Sequence, residues 1–368
     1  MKLKKQLSGI VLATMIIFSS CNEEKIATTE TTTKEDQAAM AKATACSAPG
    51  WASQNGGTIG GGTAAETVVS NYDALKAAIQ NTAVKVIKVT GTITVPAGAG
   101  GRIDFKDQTG KTIYGASGAK IVSTDQSKAN SGILSLKRNN NVIIRNLIFE
   151  GPGAYDTDGW DLVIIDDCKN VWVDHCEFRD GVDGNLDIKN KSDYITITYT
   201  KFTYLKAPRP GGSGGTDDHR FSNLIGSSDG ATADRGTLRV TWARCWWASG
   251  CKERMARVRF GKVHFVNNYY NSSVADKCVM AGFEANIRVE SNVFQGVNNP
   301  IYYVSGTSGT AVTSVGNQFN STSGTNAGTS TAAFTPPYSI AVLAASSVAS
   351  NVSGAAGATL SGNVCNTF

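Results

Sequence analysis

Lys262-Val-His-Phe-Val-Asn-Asn-Tyr-Tyr270 is the stretch on which the fold turns. Val263 and Phe265 alternate with His264 and Val266, and the run is apolar enough for a strand buried in a parallel sheet rather than one facing water. The same shape returns as Asn141-Val-Ile-Ile-Arg-Asn-Leu-Ile-Phe149, Asn170-Val-Trp-Val-Asp-His-Cys-Glu-Phe178, Tyr194-Ile-Thr-Ile-Thr-Tyr-Thr-Lys-Phe202, Leu238-Arg-Val-Thr-Trp-Ala-Arg-Cys-Trp246 and Asn286-Ile-Arg-Val-Glu-Ser-Asn-Val-Phe294. In each, an aromatic follows eight residues after the start. The starts lie 29, 24, 44, 24 and 24 residues apart; 44 is close to two turns, with Phe221 to Gly226 as the missing rung.

A period in the low twenties, built of strands without an amphipathic helix, predicts an all-β, single-stranded parallel β-helix. Leucine-rich repeats share the period but need a leucine pattern that is missing. A sandwich or propeller needs hairpin turns between successive strands, and the Asn-Gly or Asp-Gly signals do not sit where such turns require them. The recurring Phe and Tyr then form an interior ladder, and the repeated asparagines bond along the stack. One helix is expected, Tyr72 to Gln80, with Leu75, Ala78 and Ile79 on one face, capping the N-terminal end of the solenoid.

The chain has 368 residues, and Gly 39 against Pro 8 favours tight turns over long helices. The formal charge of +5, without a dense Lys/Arg tract interleaved with aromatics, argues against a nucleic-acid partner and suits an acidic substrate. Residues 1–21 join a basic start (Lys2, Lys4, Lys5) to a short apolar run ending Ser19-Ser20-Cys21. That run is too short to span a membrane and resembles a bacterial lipoprotein signal with Cys21 lipidated; an ordinary secretory signal is the alternative. Residues 22–45, rich in Thr, Glu, Lys and Ala, read as a disordered tether. Residues 46–368 show no second break in composition and form the domain. The expected product is exported and monomeric, an outer-membrane or cell-surface lipoprotein or else a secreted protein, touching membrane only through the anchor. Seven cysteines follow Cys21, without Cys-x-x-Cys and with only three histidines, which argues against zinc. In an oxidising compartment disulfides are the default, and Cys168–Cys176 and Cys245–Cys251 are the expected local pairs.

Two features point to chemistry. Arg254, Arg257 and Arg259 crowd six residues just ahead of the quoted strand, where they suit an anionic ligand or, equally, bond turn carbonyls. Asp161, Asp183 and Asp187 fall on neighbouring coils, roughly 4.8 Å apart per rung. Carboxylates converging there repel one another unless a cation sits among them, and hard oxygen donors select calcium over zinc. Asp in Gly-rich turns also commonly caps its own backbone.

In order, Val171-Trp-Val-Asp-His-Cys176, Asp183-Gly-Asn-Leu-Asp187, Leu224-Ile-Gly-Ser-Ser-Asp229 and Arg254-Met-Ala-Arg-Val-Arg-Phe-Gly-Lys-Val-His264 resemble the pectate lyases of polysaccharide lyase family one. The opening Gly56-Gly57-Thr58-x-Gly60-Gly61 and the Pro336-Pro337-Tyr338 tail fit as well, so the resemblance runs from about Trp51 to the C-terminus. It implies a right-handed β-helix and calcium-dependent β-elimination of polygalacturonate (pectate), giving 4,5-unsaturated oligogalacturonides. Position by position it implies Asp161, Asp183 and Asp187 as Ca2+ ligands, Arg254 as base and Arg259 as substrate-binding support for it. Arg257 is read as a further substrate-binding residue, and Asp174 and His175 as scaffold.

Two positions depart from the family pattern. Ala256 stands where proline is usual, and an insertion, Leu205 to Arg220, falls where a substrate-binding lysine is expected; Lys206 is the best match and Arg220 the fallback. Counting the missing rung, three coils separate Asp187 from Arg254, about 14 Å along the axis. An arginine base with a reference pKa above 12 implies a strongly alkaline optimum. Competing readings are a pectin lyase of the same fold, which needs no calcium, a glycosidase working through paired carboxylates, and a non-catalytic pectin-binding surface β-helix.

Overall fold

In the computed structural model, residues 47–363 are described; the signal and tether at 1–45, Cys46 and Cys365 lie outside them. Three parallel sheets of ten, eight and nine strands wrap one core as a right-handed β-helix. Each complete coil gives one strand to each sheet, so sequential strands of one sheet are one full turn apart. The coil turns between the ten- and nine-stranded sheets through a single left-handed residue, at Asn146, His175, Tyr199, Arg244, Asn267 and Ser291 in successive coils. Asparagine adopts that conformation readily; the others are held by their neighbours, as where His175 stacks on Tyr199 at 4.6 Å.

Inside, Phe149, Phe178, Phe202, Trp247, Tyr270, Phe294 and Phe319 form one ladder, with successive ring centroids 4.4 to 5.5 Å apart. Each offset-stacked pair adds about 0.5–1.5 kcal/mol beyond its buried area. An asparagine ladder runs beside it, Asn268 donating to Asn292 at 2.9 Å and Asn292 to Asn317 at 3.0 Å. Helix α1, Tyr72–Gln80, buries Leu75, Ala78 and Ile79 and packs on the first strand of every sheet, so it closes the N-terminal end as expected. The fully buried Lys111 ammonium caps the carbonyl end of α1, donating to Ala78, Ile79 and Asn81. A second helix, α2 (Ala345–Ala355), which the sequence pattern did not reveal, lies outside the barrel on Tyr269 and Val293.

Three expectations are corrected. Strand Asp193–Thr198 pairs directly with Val240–Ala243, so the long interval holds one coil with an enlarged loop, and Leu224–Ile225 belongs to the eight-stranded sheet of that coil. The register pairs Phe202 with Trp247, making Trp247 the ladder residue while Trp246 faces outward onto Tyr269. The five described cysteines, Cys168, Cys176, Cys245, Cys251 and Cys278, are free buried thiols. Cys168 and Cys176 sit at opposite ends of strand Lys169–Asp174, a separation of roughly 20 Å that forbids a bridge. Cys245 and Cys251 likewise flank Trp246–Trp247 and pack inward as small apolar groups.

Candidate active site

The eight-stranded sheet presents the site. Strands Val163–Asp166, Leu186–Lys189, Leu224–Ile225 and Arg257–Val258 are neighbours, and their register aligns Ile164, Asp187, Leu224 and Arg257 in one row. Because alternate residues of a strand share a face, Lys189 stands beside Asp187. The coil bearing Arg254 is therefore two rungs from Asp187, about 10 Å along the axis rather than the three expected.

Asp161, Asp183 and Asp187 line one cleft of about 600 Å³ together with Trp160, Lys189 and Ser227. Asp161 and Asp187 are buried, and Asp187 is fixed by the Leu224 amide at 2.9 Å. Gly184 threads between them: a β-carbon there would fall 2.4 Å from Asp161 Oδ1 and 3.4 Å from Asp187 Oδ1. Burial drives the Asp161 carboxyl well above the usual range, and the charges of Asp187 and Asp183 drive it further. Burial likewise pushes Asp187 up to about 6, with Asp183 adding to the rise and Lys189 and Arg254 opposing it. Among the described residues no ion pair reaches Asp161 or Asp187. Buried, mutually repelling oxygens without an ion-pair partner are a donor set that fits a hard divalent cation. Among the described residues no three acidic, His or Cys side chains already surround one point. Asp183 is engaged with a histidine: its Oδ1 is 2.9 Å from His219 Nε2, and Nδ1 of that ring lies 3.2 Å from Asp156.

The arginines divide their work. Arg254 is half-buried, with its guanidinium 4.8 Å from the Phe221 ring and no carboxylate partner among the described residues. Arg257 also lacks a partner at Nε; burial, then the charges of Arg259 and Arg254, lowers its pKa to about 10. Arg259 is buried and fully engaged, donating to Asp229 at 2.6 Å and to the Gly226 carbonyl at 2.8 Å, so it braces the loop that carries Ser227 to the cleft. Ala256 is completely buried between them, behind a cis Met255–Ala256 peptide.

Neither cation offered for the inserted segment lines this cleft. Lys206 donates to the Gly151 carbonyl at 2.6 Å and lies 3.6 Å from Glu150; Arg220 is paired twice with Asp218 at 2.7 Å. Two lysines line the cleft, Lys128 and Lys189; Lys189 shares the strand of Asp187, and the period-two pattern Asp187-Ile188-Lys189 was the signal that could have found it. His219 escaped notice because its partner Asp183 is 36 residues away. Asp174 and His175 are scaffold: buried Asp174 accepts from Arg145 at 2.8 Å and Thr198 at 2.6 Å and contacts His175 at 2.9 Å.

A pectate lyase family model matches residues 10–361. Probable pectate lyase B of Aspergillus terreus is 32% identical over 319 residues, spanning 84% of this chain and 88% of that protein. Pectate lyase E of Dickeya chrysanthemi is 37% identical over 257 residues, spanning 61% of this chain and 63% of that protein, short of two thirds of its length. The solved structure of a thermostable pectate lyase superposes with a TM-score of 0.67 at 26% identity, covering 84% of this chain and 96% of the other. With coil, cleft and motif order in agreement, the chain belongs to the pectate lyase family of polysaccharide lyases.

Proposed function

We propose that this chain cleaves polygalacturonate by calcium-dependent β-elimination, with Arg254 as base and unsaturated oligogalacturonides as products. The family and the fold support eliminative cleavage of pectate. The observation that carries the finer reading is the opposition, on one sheet face, of buried carboxylates without an ion-pair partner and guanidinium groups without a carboxylate partner. A uronate sugar lying between them answers both.

Asp161, Asp183 and Asp187 would hold Ca2+, whose chemistry when bound is to neutralise the sugar carboxylate and so acidify the neighbouring C5–H. Arg257 and Lys189 orient that carboxylate by fixed positive charge. Arg254 takes the C5 proton. The C–H electrons form the C4–C5 double bond, and the glycosidic oxygen leaves C4 with its electron pair and takes a proton from water. Arg259 keeps the Gly226–Ser227 wall in place and acts through it. Export, supported by the opening of residues 1–21, would bring the protein to its polymer.

Polygalacturonate incubated with the protein in calcium and then in chelator tests the reading. Ultraviolet absorbance from unsaturated ends should rise with calcium and stop with chelator. Absorbance indifferent to chelator, on methylated substrate only, means a pectin lyase. New reducing ends without absorbance mean hydrolysis, and binding without either means a pectin-binding surface protein.

A further inference from the structure

The inserted segment, Leu205 to Arg220, ends on a histidine that the chemistry described so far leaves without a task. His219 is buried, and both nitrogens of its ring face carboxylates: Nε2 lies 2.9 Å from Asp183 Oδ1, and Nδ1 lies 3.2 Å from Asp156 Oδ1. Asp183 lines the cleft and Asp156 does not. Among the described residues no second hydrogen bond holds the Asp183 side chain, whereas Asp187 is fixed by the Leu224 amide.

Asp156 is the post around which the insertion winds. Its carbonyl accepts from the Gly214 amide at 2.7 Å, and its Oδ2 accepts from the Thr216 amide at 2.8 Å. A β-carbon at Gly212 would fall 2.1 Å from the Asp156 carbonyl oxygen, and one at Gly214 would fall 2.0 Å from Asp156 Oδ1, so that close approach requires glycine at both. Three residues beyond Thr216 the His219 ring packs on Phe221, with centroids 4.2 Å apart, and the Phe221 carbonyl accepts from the Tyr204 hydroxyl at 2.7 Å. The imidazole is thus held by a buried carboxylate and an aromatic ring, both fixed by bonds of their own. Anchoring the loop accounts for Asp156, which the two loop amides already grip. It does not account for the bond to a carboxylate of the cleft.

We propose that His219 is a positioning residue: supported by Asp156, it sets the Asp183 carboxylate for the cation. The proposal rests on the calcium reading of the cleft. A free aspartate side chain gives up rotamer freedom when it closes on a cation, and one already fixed by a charge-assisted hydrogen bond does not. Outer partners of this kind change metal affinity by about 10–100-fold. The insertion therefore serves the acidic end of the cleft through one side chain, although Lys206 and Arg220 stay outside it.

Calorimetric titration of calcium, without substrate, into the wild-type protein, His219→Gln and His219→Asn is the test, with thermal midpoints in chelator confirming that each variant folds. A glutamine amide reaches the place of Nε2 and keeps a donor to Asp183; an asparagine amide reaches only the place of Nδ1, toward Asp156. Calcium affinity should fall about tenfold in His219→Asn and stay within about threefold of wild type in His219→Gln. The reverse order would make loop anchoring the task of the ring and overturns the proposal, as do equal losses in both variants or none in either. A second measurement needs no variant to fold. The chain has three histidines, so nitrogen-labelled histidine gives a readable spectrum, in which the His219 ring signal should shift on adding calcium while those of His175 and His264 hold still. A His219 signal indifferent to bound calcium overturns the role. Failure of the calcium reading itself looks different: the wild-type protein then gives neither calcium heat nor absorbance from polygalacturonate, and the positioning role falls with it.

Discussion

Two rungs apart on one sheet face, the aspartates that line the cleft and the arginines beyond its lining are electrostatic opposites with the same defect. At one end burial and like charge raise Asp187 to about 6 and hold Asp161 well above the usual carboxylate range; at the other they lower Arg257 to about 10. Each end pushes its own groups toward neutrality because burial disfavours the charged form and like-charged neighbours add to it. Elsewhere on the molecule charges are matched: Arg235 with Glu284, Arg239 with Asp193, Arg288 with Glu290. Those arginines have the carboxylate partners that Arg254 and Arg257 lack. A divalent cation at one end and a uronate carboxylate between the two resolve the imbalance together, which ties metal binding to substrate binding.

Removing Arg254 breaks the basic end at its reacting group. Arg254→Ala should lower kcat on polygalacturonate by about 10²–10⁴ while calcium binding is retained. The wild-type rate should also climb into the alkaline range, since only a deprotonated guanidine accepts the C5 proton. A flat or acid-favouring pH–rate profile would remove Arg254 from the role of base.

Asp161→Asn breaks the acidic end, and its two effects should have opposite signs. Calcium affinity, read by calorimetry, should fall about a hundredfold. In chelator, however, the variant should melt about 2 °C above wild type, because one of the mutually repelling carboxylates is gone. A variant destabilised in chelator would mean that Asp161 is held by partners and is not a vacant ligand.

The pH dependence sharpens the same contrast. The folded value of Asp187, about 6, lies above the ordinary carboxylate value near 3.9, so the folded chain binds more protons in that interval. Its protonation stabilises the fold at low pH, and that stability is lost as pH rises through about 6. In chelator the thermal midpoint should therefore drop by about 2–4 °C from pH 5 to pH 7.5. Saturating calcium should abolish the drop, since the cation then offsets the charge that the proton had neutralised.

How much of this was legible depends on what marks a residue leaves in the chain. The aromatic ladder fixed the coil from Phe149 to Phe294, because one large ring per turn is visible at any spacing. The first coils lack that mark: Ile93 and Ile121 occupy the register positions that pair onward to Phe149, so their repeats read as generic strands. The 44-residue interval misled because a loop enlarged within one coil imitates an extra coil. Asp161, Asp183 and Asp187 could be found because they sit at coil-related positions. Lys189 carries its signal only once strand and face are known. The cysteines show the converse: an oxidising compartment predicted bridges, and inward turn positions at opposite strand ends forbade them.

Arg259 separates support from contact with substrate, and it carries the smallest expected effect. Its guanidinium donates to Asp229 and to the Gly226 carbonyl, and its closeness to the cleft comes only through the Gly226–Ser227 backbone. If it braces that wall, Asp229→Ala removes one of its anchors, leaves the carbonyl contact, and costs about threefold in kcat/KM, the scale of one partly exposed hydrogen bond. Substrate of any length should suffer alike, since the wall borders the reacting sugar. If instead Asp229 restrains an arginine that binds substrate directly, the same substitution frees the guanidinium and lowers KM. The sign of the KM change distinguishes the two roles, and an increase is the outcome the bonding pattern favours.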